Sequence, residues 1–214
     1  KQRVALARGL VLEPELLFLD EPTSDLDPLS IRIIEDLLPQ LKMTIVLATH
    51  NLLQAERFGQ KIYLLNQGKI VQEGRPEQIF TQPYSSFVAE FIGLENIWQG
   101  EIIEENGNKF FCSGNLRIEI VTELEGKVHA ALRPEEILLS NDALHSSARN
   151  CFLGKIIDLE QRGAIFLVKV EVNGIPFQAM VTKKSKEELD LQLYKPIYLA
   201  FKASAVHIFK ERTT

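Results

Sequence analysis

The hydrophobic pattern of the first half of the chain alternates between helical and strand-like spacing. Apolar residues recur at helical intervals in five stretches: 1–12, a segment opening at Asp27 and Pro28, a segment from about Leu52, 76–80 and 84–92. Strand-like runs cover 16–19, 44–49, 62–65 and 69–71. The first two runs are continuously apolar, which predicts strands buried on both faces of a parallel sheet. Strands that alternate with helices predict an α/β layered domain over residues 1–94.

The second half, residues 95–214, has short strand-like runs separated by Gly, Asn and charged residues, and it contains an internal repeat. Two pairs of segments resemble each other in the same order: 96–102 with 150–156, and 127–133 with 196–202. Repetition of this kind indicates a duplicated unit. We therefore predict an all-β, barrel-like (OB-like) domain with two lobes, at about 97–140 and 148–210.

Composition narrows the class of protein. The 214 residues carry a formal charge of −5, whereas a general nucleic-acid binder shows a basic surplus, so we expect no nucleic-acid partner. No uninterrupted apolar run approaches the roughly 18–20 residues that cross a bilayer. The two cysteines, Cys112 and Cys151, form no CxxC pair and suggest neither a zinc site nor a disulfide framework. They fit a reducing cytosol.

The chemically informative residues follow the first two predicted strands. Asp20 and Glu21 end the first run, and Thr49 and His50 end the second. Ligands bind at this edge of a parallel sheet. There, Asp20 can hold Mg²⁺ through its water shell, Glu21 can orient or deprotonate a water, and His50 can donate to a phosphate oxygen. The alternative is that these three residues have no chemical role. Adjacent carboxylates can simply cap the end of a strand, and a lone histidine after a strand is more often structural.

Several motifs in one order resemble the ATPases of ABC transporters. Residues 1–8 are similar to the segment after the LSGGQ motif, and 16–21 are similar to the Walker B strand with its glutamate. Residues 24–27 resemble the D-loop, and Thr49-His50 resembles the switch histidine. Each motif alone is weak, but their shared order makes a chance match improbable.

The resemblance implies roles for single residues. Asp20 would support Mg²⁺, Glu21 would polarise the water, His50 would contact the γ-phosphate of ATP, and Asp27 would act across an ATP-sandwiched dimer. The Gly-rich phosphate loop, the glutamine loop and LSGGQ do not occur in residues 1–214. We therefore interpret the chain as the C-terminal part of a P-loop NTPase domain, expected to be inactive alone, whose parent hydrolyses ATP.

Residues 87–93 and 132–137 resemble the accessory β domain of importer ATPases (TOBE). In the second lobe, residues 147–150, 182–189 and 202–206 resemble the molybdate-binding Mop type. The candidate oxyanion ligands are Ser147, Arg149, Thr182, Ser185, Lys202 and Ser204. Ser185 also opens a capping-box pattern with Glu188, so it is expected to cap a short helix. Hydroxyls, free helix N–H groups and a lysine charge can surround a tetrahedral oxyanion. A purely structural role for Ser185 and Lys202 is the alternative.

Together these features predict the ATPase subunit of a molybdate or tungstate importer. The expected partners are a second copy of the ATPase, transmembrane permease subunits and, indirectly, a periplasmic or extracellular oxyanion-binding protein. The expected location is the cytoplasmic face of the plasma membrane. Two alternatives are an ATPase for sulfate, iron, sugars or polyamines with a regulatory β domain, and a stand-alone oxyanion-binding module.

Overall fold

The computed structural model describes residues 2–144 and 146–211, so Lys1 of the first motif lies outside the described residues. The chain forms two units, Lys1–Tyr63 with Glu73–Glu77, and Leu64–Gln72 with Gln78–Thr214. Among the described residues, no helix is long and apolar enough to span a membrane.

The first unit holds a parallel strand pair and three helices. Its elements are α1 (Gln2–Val11), β1 (Leu16–Asp20), α2 (Pro28–Leu37), β2 (Thr44–Ala48) and α3 (Leu52–Phe58). The predicted helices and strands are confirmed here. β1 and β2 pair in parallel, with Leu16 opposite Thr44 and Asp20 opposite Ala48. Their carboxyl ends therefore lie side by side.

The prediction that these strands are buried on both faces is wrong. Burial alternates along each strand, and Phe18 is 71% exposed whereas Leu17 is half-buried. Side chains of a strand point alternately to opposite faces, and β1 and β2 make up a two-stranded sheet in the described residues. Leu17 lies beside Gly9 of α1, so one face is packed while Phe18 projects from the other.

A hairpin and two short helices follow. β3 (Ile62–Asn66) and β4 (Lys69–Gly74) form a two-stranded sheet. Gln67 and Gly68 both have positive φ, which matches the predicted turn and the right-handed twist of a tight hairpin. α4 (Pro76–Thr81) and α5 (Ser86–Phe91) then confirm the two predicted helices.

The described residues after α5 form two five-stranded antiparallel sheets, in agreement with the predicted barrel-like β domain. The strands are β5 (Asn96–Glu105), β6 (Asn108–Ser113), β7 (Leu116–Ile120), β8 (Gly126–Leu132), β9 (Leu138–Ser140), β10 (Asn150–Arg162), β11 (Ile165–Val172), β12 (Ile175–Thr182), β13 (Pro196–Phe201) and β14 (His207–Phe209). The sheet orders are β14-β8-β5-β6-β7 and β12-β11-β10-β13-β9. A short helix, α6 (Lys183–Glu188), follows β12.

The internal repeat of the sequence corresponds to a repeat of structure. β5 pairs with β8 so that Asn96 lies opposite Leu132, and β10 pairs with β13 so that Asn150 lies opposite Phe201. However, the last strand of each repeat joins the sheet of the other repeat. β9 pairs with β13, and β14 pairs with β8. The two repeats are therefore interlocked.

Two buried asparagines reinforce this exchange. The amide of Asn96 accepts from Gln178 N (2.6 Å) and donates to Gln178 O (2.9 Å). At the equivalent position of the other repeat, Asn150 accepts from Glu119 N (2.8 Å) and donates to Glu119 O (2.9 Å). Each side chain thus satisfies the backbone of a strand in the opposite sheet. One hydrophobic core, which includes Phe111, Phe177 and Phe201, spans both repeats.

Candidate functional site

The carboxyl ends of β1 and β2 bring Glu21 and His50 together. Glu21 directly follows β1, and its backbone N–H donates to Ala48 O at 2.9 Å. Glu21 has φ +44°, the left-handed region that non-glycine residues adopt only at local cost. This sharp turn directs its side chain toward the loop that follows β2. The predicted proximity of these two strand ends is confirmed.

One oxygen of Glu21 contacts His50 twice. Oε1 accepts from the His50 backbone N–H at 2.8 Å and lies 2.7 Å from Nδ1 of the ring. With Glu21 ionised, Nδ1 carries the hydrogen and Nε2 points away from this bond. The His50 side chain is 82% exposed, whereas that of Glu21 is 33% exposed. The glutamate therefore holds an accessible imidazole in a defined orientation.

Asp20 occupies the last position of β1, opposite Ala48, and it is exposed. No cluster of three or more His, Cys, Asp or Glu side chains suited to a metal ion occurs in the described part of the chain. Mg²⁺ in phosphate-transfer sites commonly keeps several waters and uses one or two carboxylates together with substrate phosphates. A single exposed carboxylate at this edge is compatible with that mode of binding.

The loop after Glu21 is held by polar contacts. Ser24 Oγ donates to Glu21 O at 2.8 Å, and Gln2 Nε2 of α1 donates to Ser24 Oγ at 3.0 Å. Asp27 caps α2, because its two carboxylate oxygens accept from Ser30 N (3.0 Å) and Ser30 Oγ (2.6 Å). These bonds, with the Ser30 hydroxyl first, lower the pKa of Asp27. The carboxylate is thus engaged within its own helix, and its role across a dimer stays a prediction.

Sequence reasoning did not single out Gln54, which the structure places behind the two loops. Its side chain is only 3% exposed and contacts Thr23 and Thr49, the residues close to Glu21 and His50. The sequence feature that could have identified Gln54 is its place one helical turn after His50, among the apolar residues of α3. Buried polar side chains of this kind are hydrogen-bonded as a rule.

The six candidate oxyanion ligands fall into two groups. Ser147 and Arg149 precede Asn150, the first residue of β10, while Lys202 and Ser204 follow Phe201, the residue paired with it. These four exposed side chains share one end of the sheet. Thr182 and Ser185 lie elsewhere. Thr182 pairs with Ile165, and Ile165 pairs with Arg162 at the opposite end of the 13-residue β10.

The predicted capping role of Ser185 is wrong. α6 begins at Lys183, and Thr182 is the residue whose side chain caps it, accepting from Ser185 N at 3.2 Å. Ser185 is the third residue of the helix, and its hydroxyl lies 3.0 Å from that of Thr182. The strand β12 continues to Thr182, so the chain turns into the helix three residues earlier than the capping-box pattern indicated.

A comparison with known families gives a match to part of the β domain. A family model described as the TOBE domain matches residues 146–208. The matched span begins before β10 and ends within β14, so it covers the second repeat together with part of the strand exchanged into the first sheet.

The chain is similar to several import proteins over almost its whole length. It is 36% identical over 98% of its length to the molybdate/tungstate import ATP-binding protein WtpC of Pyrococcus abyssi, of which it covers 61%. It is 32% identical over 99% of its length to the spermidine/putrescine import ATP-binding protein PotA of Mycoplasmopsis synoviae, of which it covers 46%. The chain thus spans less than two thirds of the length of these relatives.

Among solved structures, the cytoplasmic molybdate-binding protein ModG, with molybdate bound, matches 55% of this chain and 96% of its own chain. The sequence identity is 24% and the TM-score is 0.47.

Proposed function

We propose that this chain belongs to the ABC import ATP-binding proteins that carry a TOBE domain, and that it serves an importer of molybdate or tungstate as its ATP-hydrolysing subunit. The relatives with this printed activity align over 98% of the chain. The observation that carries the proposal is the contact between Glu21 and His50 at the adjacent ends of two parallel strands. This arrangement provides a carboxylate and an imidazole at the sheet edge where ligands bind.

In the proposed hydrolysis, a water attacks the γ-phosphate of ATP, and the bond from that phosphorus to the bridging oxygen breaks to give ADP and phosphate. Glu21 accepts both His50 bonds at Oε1, which leaves Oε2 to accept a hydrogen bond from the attacking water. A His50 imidazolium paired with Glu21 would donate from Nε2 to a γ-phosphate oxygen. Asp20 would hold Mg²⁺ through water, and the ion would neutralise charge on the phosphates.

We further propose that the β domain binds the oxyanion at the end shared by Ser147, Arg149, Lys202 and Ser204. Two cationic and two hydroxyl side chains at one sheet end supply charge-assisted donors for a tetrahedral dianion. Thr182 and Ser185 lie at the far end of β10. They would join the same anion only in an assembly in which a second copy presents its own far end.

The partners follow from the same proposal. The ATPase would act as a dimer with permease subunits at the inner face of the membrane, and Asp27 would lie near the second copy. An oxyanion-binding protein outside the membrane would deliver the substrate. A polyamine importer is the second candidate, because PotA proteins from several organisms are 32–38% identical to this chain.

The test is uptake into proteoliposomes that contain the complete protein and its permease. Molybdate and tungstate uptake should require internal ATP, whereas spermidine should be transported no faster than in liposomes without protein. ATP-dependent spermidine uptake without oxyanion uptake would replace the proposed substrate with the polyamine. Absence of ATP hydrolysis in the complete protein would remove the enzymatic function itself.

A further inference from the structure

We propose that Gln54 is a positioning residue that sets the relative position of the Glu21 and His50 loops. This inference rests on the proposed ATP hydrolysis. The Gln54 side chain is buried, 3% exposed, in the first turn of α3, and it contacts three side chains from three different parts of the first unit. A buried amide in this position has to be satisfied by fixed partners, because exchange with water is not available to it.

The amide makes three hydrogen bonds, one to each loop of the candidate site and one to α2. Nε2 donates to Thr23 Oγ1 at 2.8 Å and to Glu35 Oε1 of α2 at 3.2 Å. Oε1 accepts from Thr49 Oγ1 at 3.3 Å. Both amide hydrogens and the carbonyl oxygen therefore have partners.

These partners stand next to the residues proposed to act on ATP. Thr23 lies two residues after Glu21, and Thr49 directly precedes His50. Thr49 Oγ1 also accepts from Asn51 N at 3.0 Å, and Asn51 caps α3. A single buried side chain thus joins the loop after β1 to the loop after β2. The 2.7 Å contact between Glu21 and His50 depends on the separation of these two loops.

The chemistry explains why an amide occupies the position. A leucine of similar volume would leave both threonine hydroxyls and the Glu35 carboxylate without this partner. A glutamate would remove the donor and place a second carboxylate beside Glu35 Oε1, now 3.2 Å from Nε2. The other oxygen of Glu35, Oε2, accepts from Arg57 Nη1 at 3.1 Å, and this bond keeps the Glu35 carboxylate beside residue 54. Exchanging the two residues restores a donor at 35 and an acceptor at 54.

The first test measures ATP hydrolysis in the complete protein. Gln54→Leu should lower kcat by about tenfold while the Kd for ATP changes by less than about twofold, because the residue acts through Glu21 and His50 and not on the nucleotide. Gln54→Glu should also be impaired, and the double variant Gln54→Glu/Glu35→Gln should recover most of its loss. Gln40→Leu is the matched control, because Gln40 is exposed and donates to Asp36 O of α2.

The second test needs no ATP. Long-range ¹H–¹⁵N NMR spectra of the His50 ring report which nitrogen carries the hydrogen. Wild type should show a hydrogen on Nδ1, where the Glu21 contact holds it, and Gln54→Leu should lower the fraction of His50 rings that carry a hydrogen on Nδ1. If wild type shows no hydrolysis yet the ring signals respond to Gln54, the positioning role stands and the proposed function fails.

Unchanged kcat together with unchanged His50 signals in a folded Gln54→Leu protein would overturn the proposal. Should Gln54→Leu fail to fold, Gln54→Glu and the double variant decide the question. A double variant no more active than Gln54→Glu alone would then count against the positioning role, and recovery would support it.

Discussion

At the scale of single residues, the candidate site depends on two short contacts to one carboxylate oxygen. Glu21 reaches His50 because its backbone turns into the left-handed region directly after β1. The strained turn, the Ser24 bond to Glu21 O and the Asn51 cap of α3 fix both ends of the contact. Backbone strain that persists in this way is found often at functional sites.

Glu21→Gln should preserve ATP binding in the complete protein and lower kcat by about 10²-fold or more, the usual worth of a general base or water-orienting group. Glutamine keeps the length of the side chain but can no longer take a proton. ATP hydrolysis and ATP binding should be measured on the same preparation. Glu56→Gln is the control, because Glu56 is exposed on α3, and this variant should retain wild-type kcat. A Glu21→Gln variant with near wild-type turnover would exclude the catalytic role.

His50→Ala should reduce kcat more than it reduces ATP affinity, because the imidazole would act on charge that develops during phosphoryl transfer. The expected loss is again about 10²-fold, and His50→Gln should lose less because its amide can still donate. Steady-state hydrolysis combined with calorimetric ATP binding separates the two parameters. A normal kcat with a weakened Kd would assign His50 to ground-state binding.

At the scale of elements, the two repeats of the β domain share a glycine on their first strand. Gly100 lies four residues after Asn96, and Gly154 lies four residues after Asn150. A Cβ at Gly100 would meet the Phe111 ring at 2.6 Å, and one at Gly154 would meet Val170 Cγ1 at 2.5 Å. The neighbouring strand packs directly over the backbone at both positions. These close approaches explain why the repeat keeps a residue without a side chain.

Gly100→Ala and Gly154→Ala should each destabilise the chain by about 1–3 kcal/mol, because the added methyl overlaps atoms of a packed strand. The measurement is chemical denaturation of the whole chain, followed by fluorescence of the single tryptophan, Trp98. Trp98 lies on β5 and its ring contacts Phe177, so it reports on the shared core. Gly9→Ala is the control, since its Cβ would have ordinary contacts, the nearest at 3.6 Å. Equal free energies of unfolding for the wild type and the three variants would show that the strands accommodate the added methyl groups without an energetic cost.

At the scale of the whole molecule, strand exchange makes the two repeats of the β domain one folding unit. β9 completes the sheet of the second repeat and β14 completes that of the first. The Asn96 and Asn150 bonds to opposite sheets add to this connection. The strand ends that carry the four candidate oxyanion ligands therefore have fixed positions relative to one another.

If the shared end of β10 and β13 binds an oxyanion, titration of the chain with molybdate should be saturable. Lys202→Ala and Arg149→Ala should each weaken binding by about ten- to a hundredfold, the usual worth of a hydrogen bond to a charged group. Lys42→Ala, an exposed lysine of the first unit, is the control and should bind as wild type. Calorimetry with molybdate, tungstate and sulfate gives the comparison.

The same titration with Thr182→Val distinguishes an anion site within one copy from an anion site shared between two copies. If Thr182→Val weakens molybdate binding only at protein concentrations at which the chain forms dimers, this would support an anion bound by residues of two copies. No saturable binding of any of the three anions by a folded chain would leave the β domain with a structural or regulatory role.

Local signals in the sequence were sufficient to predict many of the helices, turns and strands of this protein. Helix starts such as Asp27-Pro28, turns such as Gln67-Gly68 and the apolar runs of β1 and β2 depend on residues close in the chain. Two parallel strands that end in Asp20-Glu21 and Thr49-His50 must bring those residues to one edge. The repeat of 96–102 in 150–156 likewise predicted equivalent strands. Short-range backbone preferences determine the helix starts, the turns and the strands among these features.

Tertiary structure alone decided the rest. The exchange of β9 and β14 depends on register between strands far apart in sequence, to which hydrophobic periodicity gives no guide. The pairing of β10 with β11 and β13, and of β11 with β12, places Thr182 and Lys202 at opposite ends of β10, although both were predicted ligands of one anion. Gln54 has partners 5, 19 and 31 residues away, so its role follows only from the packing of α3 against both loops. Long-range pairing selects among arrangements that local patterns permit equally.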